Sequence, residues 1–459
     1  MLCECENERR LGGIMKVLSR TVALGLSTPL VVLACGSTQK GDAPPGAAAG
    51  VAGTTGAGIS GAGGGGGGGV TAGAPAGGDA GRGGVAGAAG TLDMGGAVAH
   101  EPTALTPAQG FPSDLTIGGW DSKPGLDVIV TNSRGLSYFP NDGSGHFTTD
   151  AYLDTVADVV AAGQLDSGPS LDLLTGEFTS TAIFTSFGDG VGGIATSDKQ
   201  FFGAEGDGAN FFVADVDGSG PSQDFVVTCT GTVSVVVTSG TEGPGFLDAY
   251  AAVGLYPGPA DAVLARLGSK QWLVYSADNA INRSLVTYST GPSTVTLGAP
   301  LAMPIGGTPE QLDVGDFNED GFDDIAVTLT GSGQLNVLFG DGVGEGGFLA
   351  MTNAERFLTL SIGTSAADQT PRDVKVGDLD GDGHADIAVS VQGLDAIAIF
   401  SGDGTGAFTG PRFVSTGAGS GPTRLALGRL NGDELDDVAV VGATSRKVIV
   451  ILSDTPTGG

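Results

Sequence analysis

From about residue 101 onward the chain is a succession of short apolar runs separated by clusters of Gly, Asp, Asn and Ser. One stretch shows the unit. Gln311-Leu312-Asp313-Val314-Gly315 reads as a strand. Asp324-Ile325-Ala326-Val327-Thr328-Leu329 reads as the next, with Ile325, Val327 and Leu329 on one face, because side chains alternate sides along a strand. Gly331-Ser332-Gly333 supplies a turn. Leu335-Asn336-Val337-Leu338-Phe339 is apolar on both faces at points, which predicts a third strand sandwiched between layers. Gly340-Asp341-Gly342 then opens a Gly-rich loop leading to Phe348, where a short outer strand is expected to start. The unit is four antiparallel strands.

It recurs at a spacing of about fifty residues. The loop joining its first two strands is the most legible part. It reads Asp378-Leu379-Asp380-Gly381-Asp382-Gly383-His384-Ala385-Asp386 before Ile387-Ala388-Val389, and Asp316-Phe317-Asn318-Glu319-Asp320-Gly321-Phe322-Asp323-Asp324 before Ile325-Ala326-Val327. Further copies are Asn431 to Asp437, Asp215 to Asp224, Asp166 to Asp172 and Asp121 to Asp127. A copy without carboxylates spans Leu264 to Gly268 before Trp272-Leu273-Val274. Seven repeats of four strands predict an all-β fold, a seven-bladed propeller over residues 101–459.

The loop also carries the chemistry. Its four carboxylates within nine residues would repel one another unless a cation neutralised them. Calcium takes oxygen ligands in a large, flexible shell, and alternate residues of a turn can aim at one centre. An EF-hand is excluded, because position twelve is Val389, inside a β-favouring run, where an EF-hand needs Glu and a helix. The expected ligands are Asp378, Asp380, Asp382 and Asp386 with the His384 carbonyl, and Asp316, Asn318, Asp320 and Asp324 with the Phe322 carbonyl. A weaker site is expected at Asp215, Asp217 and Asp224, where Ser219 stands at position five. In the last copy Arg429 holds the first ligand position, so its guanidinium is expected to replace an ion.

The N-terminal hundred residues have another character. Met15-Lys16, Arg20 and the apolar run from Val22 to Leu33 read as an export signal, too short to span a membrane. Glu4, Glu6 and Glu8 fit poorly ahead of such a signal, so translation is expected to begin at Met15. Val32-Leu33-Ala34-Cys35 resembles the lipobox of bacterial lipoproteins, which implies cleavage after residue 34, lipidation of Cys35 and an N-terminal membrane anchor. With Gly36 rather than Asp after the Cys, the resemblance implies the outer membrane. Residues 35–100 then form a disordered linker rich in Gly and Ala, whose composition cannot bury enough apolar surface to offset ordering entropy. As a coil of about sixty residues it would span roughly 40–48 Å.

Composition narrows the partners. The formal net charge of −31 disfavours nucleic acid, whose phosphates need basic patches. Of four cysteines, only Cys229 would remain free after processing and acylation, in a β-favouring run where a buried, inert thiol is expected. His100, His146 and His384 have no Ser or Cys nucleophile motif beside them.

Besides the loops, the hairpins Asn141-Asp142-Gly143-Ser144-Gly145-His146-Phe147, Phe187-Gly188-Asp189-Gly190 and Gly402-Asp403-Gly404-Thr405-Gly406-Ala407-Phe408 recur. Together these motifs resemble the FG-GAP or VCBS repeat of integrin α-subunit heads and many bacterial surface proteins, over roughly residues 110–455. The resemblance implies a seven-bladed β-propeller with calcium in loops near one rim. The last repeat lacks an outer strand after Lys447 to Leu452, and residues near 103–112 are expected to supply it and close the ring. The functional expectation is a tethered module that binds a protein or glycan from the periplasm or the cell surface. The alternative is an enzyme acting on polysaccharide.

Overall fold

The structure is a computed structural model that describes residues 93–94, 97–98, 102–107, 110–148, 151–153, 157–166, 168, 170–176, 182–201, 210–216, 224–229, 232–238, 247–254, 260–267, 270–277, 280–290, 293–340, 357–365 and 370–453. The export signal, Cys35 and most of the expected linker lie outside the described residues. Within that linker Asp93–Met94 and Ala97–Val98 pair as a two-stranded antiparallel ladder. No helix among the described residues is long and apolar enough to cross a membrane.

Among the described residues between 103 and 451 the strands form antiparallel sheets, and in most of them consecutive strands pair in order. The sixth sheet is representative: Pro371–Gly377, Asp386–Val391, Ala396–Gly402 and Phe408–Ser415, each paired with the next. Seven sheets of four or more strands are present among the described residues. Their first strands are Pro112–Gly118, Val159–Gly163, Asn210–Ala214, Ala262–Leu267, Thr308–Gly315, Pro371–Gly377 and Pro422–Gly428. Each of these packs beside the next, and the last packs beside the first. The fourth sheet has an extra strand, Leu301–Pro304, on Ala280–Thr290.

The sequence pattern follows from this arrangement. A second strand such as Asp386–Val391 is buried along its whole length, because each face meets a different neighbouring sheet. Ile387 and Val389 pack with Phe317, Ala326 and Val337 of the fifth sheet, whereas Ala388 packs with Leu425, Val438 and Val440 of the seventh. The apolar run therefore feeds two cores at once. Similar clusters fill every junction, including the one where Leu115, Val128 and Val130 meet Leu430, Ala439 and Val450 across the ends of the chain. Thr103–Leu105 pairs with Lys447–Ile451 and completes the seventh sheet, as the missing outer strand led one to expect.

One expectation is corrected. The outer strand of the fifth sheet is Phe357–Ser361, not a strand starting at Phe348, which lies outside the described residues.

First strands are also fastened to one another around the axis. Asp114 accepts the Val160 N–H at 3.0 Å, Asp261 the Leu312 N–H at 2.9 Å, and Asp373 the Leu425 N–H at 2.7 Å. Asp313 likewise accepts the Val376 N–H at 2.7 Å. Each of these carboxylates satisfies an amide on the following sheet, a use of polar residues that an alternation pattern does not disclose.

Candidate metal centre

The loop from Asp378 to Asp386 leaves the first strand of the sixth sheet and re-enters as its second. Gly381 and Gly383 take φ of +82° and +87°, a left-handed backbone that wraps the loop on itself. Asp378 accepts N–H groups from Gly381 at 2.8 Å and Gly383 at 3.1 Å, while Asp382 accepts the His384 N–H at 2.9 Å. The wrap brings carboxylate oxygens of Asp378, Asp380 and Asp382 within 4.8 Å of one another at the surface. Burial and the neighbouring Asp382 charge raise the pKa of Asp380, so the cup favours a proton or a cation.

The fifth-sheet loop repeats the wrap. Asp316 accepts the Asp320 N–H at 3.1 Å and the Gly321 N–H at 2.9 Å, and Asp320 accepts the Phe322 N–H at 3.0 Å. The Asn318 amide nitrogen donates to Asp320 at 3.2 Å. The Asn318 Oδ1 accepts the Asp320 N–H at 3.1 Å. Phe322 and His384, expected to offer carbonyls, are thus anchored through their own N–H groups.

Asp386 and Asp324 do not join the cups in this geometry. Asp386 is fully buried, accepting the Leu379 N–H and the Gly402 N–H, both at 2.9 Å. Asp324 does the same with Phe317 at 2.9 Å and Gly340 at 2.7 Å. They tie the loop to the end of the third strand. The same staple occurs in other sheets: Asp127 accepts from Trp120 and Asn141, Asp172 from Leu165 and Gly188, and Asp437 from Leu430 and Ser453. Burial pushes Asp324, Asp386 and Asp437 up to about 7 and Asp172 up to about 6. Such shifts often mark catalytic groups. Here both oxygens of each carboxylate are held by backbone amides, which is a structural use.

The preceding Asp of each doublet reaches a neighbouring sheet. Asp323 exchanges bonds with Arg266 of the fourth sheet, accepting its N–H at 2.5 Å and donating to its carbonyl at 3.2 Å. Asp436 does the same with Asp378, at 3.1 and 2.9 Å.

In the third sheet, Asp224 is buried and accepts the Val216 N–H at 2.8 Å, Asp215 is exposed, and Asp217 lies outside the described residues. Arg429 is exposed, and its charge counteracts the rise of the Asp436 pKa. In that loop the Asn431 amide donates to Asp433 at 3.0 Å.

A recurrence signal for the staple is present in the sequence: Asp127, Asp172 and Asp437 stand at the ninth position of loops that have fewer of the other carboxylates than the fifth and sixth copies.

Residues 316–389 and 378–440 match the FG-GAP-like repeat. No curated protein matches the chain. Among solved structures it is similar to BBS1N in complex with ARL6DN, with a TM-score of 0.53 at 9% identity over 78% of this chain and 97% of that one. It is also similar to U3-55K, at 0.50 and 12% over 76% and 98%, and to a chain of apo ctPRC2 in an autoinhibited state, at 0.53 and 7% over 76% and 96%. These identities speak for the propeller fold alone.

Proposed function

Taking the FG-GAP-like repeats of its C-terminal sheets as the premise, we propose that the chain is a closed, seven-bladed propeller stabilised by calcium, tethered to the outer membrane through Cys35, and acting as a binding module for a protein or glycan. The observation that carries the reading is the carboxylate cup at Asp378, Asp380 and Asp382, with the same backbone wrap around Asp316 in the loop of the neighbouring sheet. Oxygens about 2.3–2.6 Å from a calcium ion lie at most about 5 Å apart, which the 4.8 Å limit of the cup satisfies. The donors are all oxygen, which suits a hard cation and does not suit zinc or copper. The ion would stabilise the loops and carry no reaction.

The competing reading, an enzyme acting on polysaccharide, has one feature in its favour. A cavity of about 580 Å³ on the axis is lined by Asp114, Asp261, Asp313, Asp373, Lys375 and Arg424. Each of those four carboxylates, however, accepts an amide N–H from the next sheet, which favours a role in fastening the ring.

Arrays of glycans and matrix proteins probed with residues 101–459, with calcium and with chelator, test the proposal. Retention of a discrete set of ligands without their conversion supports it. Turnover of any polysaccharide on the array overturns it in favour of the enzyme.

A further inference from the structure

Glu319 is the exception in its loop. The fourth position is Gly381 in the sixth sheet and Gly432 in the seventh, with φ of +82° and +80°, yet the fifth sheet keeps a side chain there at φ +54°. A left-handed non-glycine residue costs roughly 1–3 kcal/mol and persists where the surroundings use it. The Glu319 carboxylate reaches the other cup, where Oε1 accepts the Nδ1–H of His384 at 2.5 Å. Glu319 lies between Asn318 and Asp320, and His384 is two residues beyond Asp382. The pair therefore joins the backbone segments that shape both cups.

A second bridge runs alongside. The sixth-sheet hairpin after Gly402 donates the Gly406 N–H to the Phe317 carbonyl at 2.9 Å, and Phe408 packs edge-on against Phe317 with ring centres 5.3 Å apart. Gly402 opens that hairpin and caps Asp386 of its own loop. The fit around the pair is tight, since a Cβ on Gly404 would meet His384 Nδ1 at 2.5 Å and Glu319 Oε1 at 2.8 Å.

We infer that the Glu319–His384 contact couples the two cups, so that an ion in one raises the affinity of the other. The inference rests on the calcium reading above. Ordering one loop fixes the partner residue of the other, so the second ion meets a loop already set. By linkage the effect is reciprocal: losing either cup weakens the other by one common factor.

Calcium titration by isothermal calorimetry, on the wild type and on Asp316→Ala, Asp378→Ala, Glu319→Gly and His384→Ala, tests it. Glycine suits the left-handed backbone at position 319, so that variant folds. The expected result is a cooperative wild-type isotherm. Each single-cup variant should bind its remaining ion at least about fivefold more weakly, by the same factor in both. Glu319→Gly and His384→Ala should bind two ions independently. If removing one cup leaves the other's affinity unchanged, or if cooperativity survives in both bridge variants, the coupling is overturned while the calcium reading stands. A flat isotherm for the wild type overturns both.

Discussion

Asp378 and Asp436 hold each other across two sheets: the Asp436 N–H donates to the Asp378 carbonyl at 2.9 Å, and the Asp436 carboxylate accepts the Asp378 N–H at 3.1 Å. The first carboxylate of the sixth-sheet cup is therefore positioned from the seventh sheet. Asp436→Ala removes one of the two bonds and leaves the Asp378 amide without that partner. Such a loss costs about 1–3 kcal/mol, and the denaturation midpoint should fall both in calcium and in chelator.

Cup and staple carboxylates should separate cleanly by metal dependence. Asp437 accepts three backbone N–H groups in a loop that has Arg429 at the first ligand position. Asp437→Ala leaves those donors unpaired and should cost about 2–5 kcal/mol with or without calcium. Asp378→Ala should matter chiefly in calcium, because there it forfeits ion binding as well as its local turn bonds. Urea unfolding of each variant in calcium and in chelator measures the difference.

The metal-free domain should be more stable at pH 5 than at pH 8. Burial holds Asp324, Asp386 and Asp437 at about 7, and Asp172 and Asp261 at about 6. A carboxyl raised above its ordinary value of about 3.9 binds more protons folded than unfolded. Its stabilising contribution is complete below about pH 4 and is lost as pH rises through 6 and 7. The formal charge of −31 acts in the same direction, since self-repulsion eases on protonation. Urea midpoints in chelator across that window check the slope.

Ring closure rests on a short strand. Thr103–Leu105 covers the edge of Lys447–Ile451. A chain starting at Thr106 would bare that edge, leaving unpaired backbone groups that template association. Its melting temperature should fall, and light scattering should show concentration-dependent aggregates absent from residues 101–459.

The repeat, its strands and the clustering of Asp378, Asp380 and Asp382 were legible because alternation and Asp/Gly spacing are local. Val128, Ile325, Ile387 and Val438 announce second strands by the same short apolar run. The double role of the Asp doublets was not legible. The partner of Asp386 on the adjacent strand, Gly402, sits sixteen residues downstream, and that of Asp323, Arg266, belongs to another sheet. Spacing shows that an acid recurs but not which amides will claim its oxygens. The polar collar of Asp114, Asp261, Asp373 and Arg424 has no local signature for the same reason, since only the ring brings these residues together.

The claim that clustered carboxylates are held by calcium, and that the ion steadies the propeller, is tested most directly by differential scanning calorimetry of residues 101–459 in excess calcium and in excess chelator. At an ion concentration a hundredfold above Kd, one site adds about 2.7 kcal/mol. The melting temperature should rise by several degrees in calcium for the wild type and lose most of that rise when Asp316 and Asp378 are both replaced by Ala. Superimposable wild-type melting curves in calcium and in chelator would contradict it.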